Sequence, residues 1–365
     1  MTEFDPTDPG APAARERAES VPDGGGEPIA LGAATVRIGT AGWTDPTLIA
    51  PGVFYPEGAT SAEQRLRWYA SRFPLVEVDS AYYALPSRRS AELWLERTPP
   101  DFRFDVKAYA LMTGHPTEVA RFPRAIRETL PPDVEAKSRV YPKDLPAGVM
   151  EDVWRWFADA IEPLHSAGRM GAVLMQYPPW FHATRASAEA ILDAQRRLAP
   201  VEIAVEFRHP SWLDGRVGTR TLEFLAEHRI PFVMVDEPQG TAHSVPGINA
   251  VTAPRHAVLR FHGRKAGVWD RAGTPVAERF RYLYTREELA ELAGRVRDAA
   301  REARELHVIF NNCYANYGTT NALELGALLR GARGHPEQSE GSAVPGFEPR
   351  VEQIPRSARD DPGSA

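Results

Sequence analysis

Apolar residues fall in eight short blocks along the chain: "VRIGT" from Val36, "LVEVDS" from Leu75, "FRFDVK" from Phe102, "GAVLMQY" from Gly171, "VEIAVEF" from Val201, "PFVMVD" from Pro231, "AVLRFHG" from Ala257 and "HVIFNN" from His307. The segments between them, such as "SRRSAELWLERT" and "RASAEAILDAQRRLA", place apolar residues three and four apart, as amphipathic helices do. Ser61, Ser87 and Thr285 stand where side-chain caps would open such helices, Thr285 with Glu288 three residues on. Eight β-α units in about 300 residues predict an α/β fold, a single (β/α)8 barrel of the triosephosphate-isomerase type, with a doubly wound open sheet as the rival. After "FVMVD" no helical period follows, so the sixth helix is expected to be reduced or replaced by loop. Residues 131–150 read as an insertion. The barrel is expected over 35–332, flanked by disordered tails at 1–34 and 333–365, which are rich in Pro, Gly, Ala and charge.

Strand alternation sorts the side chains. In "VEIAVEF" the set Ile203, Val205 and Phe207 faces the helices, which sends Glu206 and Arg208 into the barrel. The same reading turns Glu77, Asp79, Arg103, Asp105, Lys107, Gln176, Asp236, Arg260, His262 and Arg264 inward. Barrel interiors are usually filled by branched apolar residues, so a charged interior calls for a reason. Residues near the strand starts and middles, Arg37, Glu77, Arg103, Asp105, Glu202 and Arg260, are expected to neutralise one another. Those at the C-terminal strand ends, where barrel active sites lie, are the functional candidates.

Glu206, Asp236, His262 and Lys107 are the candidate catalytic groups, and Trp43, Asp79, Tyr82, Gln176, Arg208, His209, Trp212, Arg264, Asn311 and Asn312 the candidate ligand contacts. Parity does not choose between Asn311 and Asn312. Further aromatics, Tyr83, Tyr177, Trp180, Trp269 and Tyr314 or Tyr317, gather at the same end, where rings stack on sugars or bases or else pack loops onto the barrel. His165, His228 and His307 read as surface or helix-packing residues.

The net charge of -6 gives no overall basic field for nucleic acid, although a local patch is compatible with it. The lone Cys313 excludes an intramolecular disulfide and a cysteine zinc site, and is expected to pack rather than to attack a substrate. With no span of membrane length, the expectation is a soluble, cytoplasmic protein.

The runs "RIGTAGWTDP", "VEVDSAYYALP", "LMQYPPWF", "EFRHPSW", "RFHGR" and "FNNCYANYGTTNALEL" together resemble the YecE-like family, also called domain of unknown function 72, from about Val36 to Leu329. The resemblance implies a barrel and no particular reaction. It leads one to expect asparagine where this chain has Asp79.

Three functional classes fit these residues. The first is an enzyme doing acid-base or hydrolytic chemistry, as a hydrolase or isomerase, on a small polar, anionic ligand such as a phosphorylated or sugar-like molecule. The second adds a divalent metal on Glu206, His209, Asp236 and His262, in the manner of a phosphodiesterase or endonuclease; no "HxH" or "HExxH" run supports it and the neighbouring arginines oppose it, so metal is not favoured and any cofactor stays unknown. The third is a nucleotide or nucleic-acid binding module without catalysis.

Overall fold

A computed structural model describes residues 10–331 apart from 23, 243 and 272. Eight parallel strands form the barrel: β1 Ala34–Ala41, β2 Leu75–Val78, β3 Arg103–Lys107, β4 Met170–Gln176, β5 Ile203–Glu206, β6 Val233–Asp236, β7 His256–Phe261 and β8 Glu305–Phe310. Each pairs with its chain neighbours, and β8 pairs with β1, which excludes the open-sheet rival. The ring closes between β5 and β6 only through the bridge of Val205 to Phe232, where Val205 N–H donates to the Pro231 carbonyl at 2.9 Å.

A helix α1, Gly10–Glu19, precedes the barrel. The barrel helices are α2 Ala62–Ala70, α3 Arg88–Glu96, α4 Ala147–Ser166, α5 Arg185–Leu198, α6 Gly215–Glu227, α7 Arg286–Ala300 and α8 Tyr317–Gly331. Among the described residues none lies between β6 and β7, as the missing period predicts. Ser61 and Thr285 close capping boxes with Gln64 and Glu288, and Ser87 accepts from the Ser90 amide, so all three expected caps form. The long connection from β3 to α4 holds a small antiparallel pair, Thr117–Glu118 with Arg139–Val140.

Part of the segment read as an N-terminal tail is built into the fold. Ala11 and Ala14 of α1 are buried, their carbonyls accept from Asn316 and Thr320, and Arg17 pairs with Glu324 at 2.7 Å, so small side chains let α1 lie against α8. Residues Ile29–Leu31 add an antiparallel strand beside β1. The C-terminal tail lies outside the described residues.

The outward faces form the core with the helices: Phe207 stacks on Trp212 at 4.4 Å and Phe104 on Trp94 at 6.2 Å. Inside, charges are layered. At the base Arg37 pairs with Glu305, Glu202 with His256, and Asp105 with His307. Above them Arg260, 1% exposed, binds Glu77 at 2.7 Å and also Glu206. His307 thus lies inside the barrel, correcting its reading as a surface or helix-packing residue; burial opposes its charge, but Asp105 and Glu305 prevail and push its pKa up to about 9.

Candidate functional site

The strand C-terminal ends open into a cavity of about 900 Å³. Asp79, Lys107, Gln176, Arg208 and Asn311 line it from β2, β3, β4, β5 and β8 or the residues just after them. Loops add Asp45, His115, Trp180, Trp269, Arg279 and Phe280, and Tyr82 and Tyr83 follow β2.

Glu206 is the floor's anchor rather than a group facing ligand. It is fully buried and accepts from Arg260, from Gln176 at 2.6 Å and from Arg208 at 3.3 Å. Burial works against its charge, yet the guanidinium groups beside it, Arg260 first and then Arg208, hold its pKa well below the usual carboxylate range. His262 is buried beside it. Asn311 Nδ2 donates to His262 Nδ1 at 2.8 Å, which leaves the ring proton on Nε2, 3.2 Å from Glu206 Oε1 but out of line for a hydrogen bond. Burial lowers the His262 pKa to about 4, so the ring is neutral.

Lys107 and Asp79 differ from this paired floor. Lys107 reaches the cavity with Nζ 4.5 Å from the centre of the Tyr82 ring and forms no ion pair among the described residues. Burial, helped by Arg260, lowers its pKa. Asp79 is pushed the other way, upward, by burial against the pull of Lys107. Arg279 likewise forms no ion pair among the described residues, and its Nε is buried with no hydrogen-bond partner. His115, in the insertion after β3, meets Tyr82 and Trp180 edge-on at 5.3 and 5.6 Å, and burial drops its pKa to about 3.

Several expected contacts lie elsewhere. Asp236 faces the helix layer, bound to Arg264 at 3.0 Å and Tyr284 at 2.8 Å with Arg295 at 3.5 Å, because Glu237 rather than Asp236 takes the inward turn. Glu237 pairs with Arg208 at 2.8 Å and accepts from the Val245 amide; burial pushes its pKa up to about 7. Gly263, at φ 89°, ends the alternation after His262 and swings Arg264 out to Asp236. His209 caps the short turn Pro210–Trp212 through Ser211 and meets the His182 ring at 4.1 Å. Trp43 packs edge-on against Trp94 at 6.0 Å, while Trp212 is stacked between Phe207 and Phe181.

Asn312 is buried, donating to Tyr282 and Asn321, so Asn311 is the mouth residue. The four residues expected as possible metal ligands therefore do not converge: Asp236 and His209 have left the mouth, and only Glu206 and His262 meet. Cys313 donates to the Ala41 carbonyl at 3.1 Å, and burial raises its pKa well above the ordinary thiol, as packing requires. Glu237, His115 and Arg279 were missed by the sequence reading. Only Glu237 had a signal, as the acid next to Asp236.

Compared with known proteins, residues 37–343 match the family model described as "Protein of unknown function DUF72". The UPF0759 protein YunF of Bacillus subtilis (strain 168) is 28% identical over 297 residues, covering 80% of this chain and 94% of that protein. A solved DUF72 family protein of Thermotoga maritima MSB8 superposes with a TM-score of 0.62 at 34% identity, covering 81% of this chain and 99% of that one. One from Enterococcus faecalis V583 gives 0.61 at 26% identity, covering 81% and 97%. No described helix is long and apolar enough to cross a membrane. Barrel, motif order and family match agree: this chain belongs to the DUF72 family, whose YecE-like motifs the sequence carries.

Proposed function

We propose that the mouth is the active site of an enzyme that binds a polar anionic ligand and moves a proton with Lys107 and Asp79. The observation that carries this reading is the contrast between paired and unpaired ions. Deep in the barrel the arginine and its carboxylates satisfy one another, whereas Lys107 and Arg279 face the cavity with no carboxylate partner among the described residues. Removing a cation from water without a partner is costly, and a phosphate or carboxylate would supply that partner.

Lys107 and Asp79 are each shifted toward the neutral form, which brings an amine and a carboxyl closer in proton affinity. Such a pair serves acid-base steps of hydrolysis or isomerisation. Glu206, His262 and Gln176 act as positioning residues, through Arg208 and Asn311. Tyr83 and Trp180, the exposed rings of the mouth, give a sugar ring or a base faces to stack on, while Tyr82 and Trp269 already carry Lys107 and Arg208 over theirs.

Thermal shift of the full chain against inorganic phosphate, sugar phosphates, nucleotides and short oligonucleotides tests this reading, with Lys107→Met and Arg279→Met alongside. Stabilisation by a phosphorylated compound, lost in both variants, is expected, since ligand binding to the native state raises its stability. No stabilisation by any anion, or the same response in the variants, would overturn it. Shifts by oligonucleotides alone would assign the mouth to nucleic acid instead.

A further inference from the structure

At the base of the barrel, away from the mouth, Asp105, His256 and His307 face one another, 2%, 6% and 1% exposed. One ligand-type atom from each lies within 4.8 Å of those of the other two. Each imidazole already has one nitrogen fixed by a carboxylate: His256 Nδ1 lies 2.7 Å from Glu202, and His307 Nε2 lies 3.3 Å from Glu305. What remains is His256 Nε2, buried with no hydrogen-bond partner, and His307 Nδ1, 2.9 Å from both oxygens of Asp105. The cluster also has room made for it. A Cβ at Gly171 would come 2.1 Å from Asp105 Oδ1 and 2.6 Å from His307 Cε1.

A carboxylate behind each imidazole is the arrangement that orients histidine on a metal and raises its basicity. Two imidazole nitrogens and one carboxylate oxygen suit zinc-like ions better than calcium or magnesium, which prefer oxygen. Without a metal, the buried Nε2 of His256 is an uncompensated polar atom. We propose that Asp105, His256 and His307 bind a divalent transition metal of the zinc class, with Glu202 and Glu305 orienting the two imidazoles. The ion takes the place of the proton shared by His307 and Asp105, so uptake releases a proton. Glu202 and Glu305 side chains are 28% and 34% exposed, which gives a path from solvent at the base. The metal ties β3, β7 and β8 together and stands apart from the chemistry at the mouth.

Chelator-treated full-length protein titrated with Zn²⁺ against a chromophoric chelator tests this inference. One equivalent is expected to bind, with affinity reduced at least tenfold by His256→Ala and about tenfold by Glu202→Gln, and unchanged by His209→Ala. Absence of binding, or equal binding by a folded His256→Ala variant, would overturn it. Circular dichroism shows which variants fold. Should His256→Ala not fold, the visible spectrum of Co²⁺ added to the wild type decides: intense bands of a low-coordinate nitrogen and oxygen site support the proposal, and a spectrum like that of aqueous Co²⁺ contradicts it.

Discussion

Arg260 shows how this interior tolerates its charge. Its guanidinium spans Glu77 and Glu206, so each buried carboxylate has a cation beside it; the pairing prevails at Glu206, whereas at Glu77 burial outweighs Arg260 and raises the pKa. Arg260→Met would strand two carboxylates at once; a loss of about 3–5 kcal/mol is expected from urea denaturation, with part recovered on adding Glu77→Gln. Glu237 makes a second residue-level prediction. Its pKa rises from 4.5 to about 7 on folding. The native state therefore holds a proton that the unfolded chain has lost, and the stability linked to it, full below pH 4.5, is lost as pH rises through 7. Glu237→Gln should flatten the fall in stability between pH 4.5 and 7, measured by denaturation at a series of pH values; an unchanged profile would show that Arg208 keeps the carboxylate charged throughout.

At the scale of elements, alternation was readable wherever one strand face was apolar. On β5 the outward set Ile203, Val205 and Phe207 left Glu206 and Arg208 only one way to point, and both lie inside. On β6 the residues Val233–Asp236 are buried on both faces, so apolarity carried no parity and Asp236 was turned the wrong way. On β7 the reading held through His262 and failed where Gly263 leaves the strand conformation. That glycine is required twice over, by its φ of 89° and because a Cβ there would come 2.5 Å from the Tyr282 Cβ. Gly263→Ala should cost about 1–3 kcal/mol and loosen the Arg264 to Asp236 pair. Thr285→Ala, which opens the capping box of α7, should cost about 1 kcal/mol. Thermal unfolding of the two variants checks both.

Over the whole molecule, the repeated β-α pattern carried the barrel, its closing order and the missing sixth helix, since these depend on periodicity and length. The mouth was only partly legible. Asp79, Tyr82, Lys107, Gln176, Arg208 and Asn311 sit at strand ends, where parity applies. His115 and Arg279 arrive from the long connections after β3 and β7, whose paths no local spacing encodes. The resulting molecule has paired charges at its base and middle, whereas Lys107 and Arg279 at its mouth form no ion pair among the described residues. Lys107 is the group on which the proposed chemistry rests.

The chain has only four lysines, Lys107, Lys137, Lys143 and Lys265, so each is separable by peptide mass. Competitive acetylation with trace acetic anhydride across pH, read by mass spectrometry, titrates each amine in the folded protein. Lys107 is expected to titrate below the ordinary lysine range and to be protected by a stabilising anion. Titration of Lys107 within the ordinary lysine range, with no protection, would contradict its role as the proton carrier of the mouth.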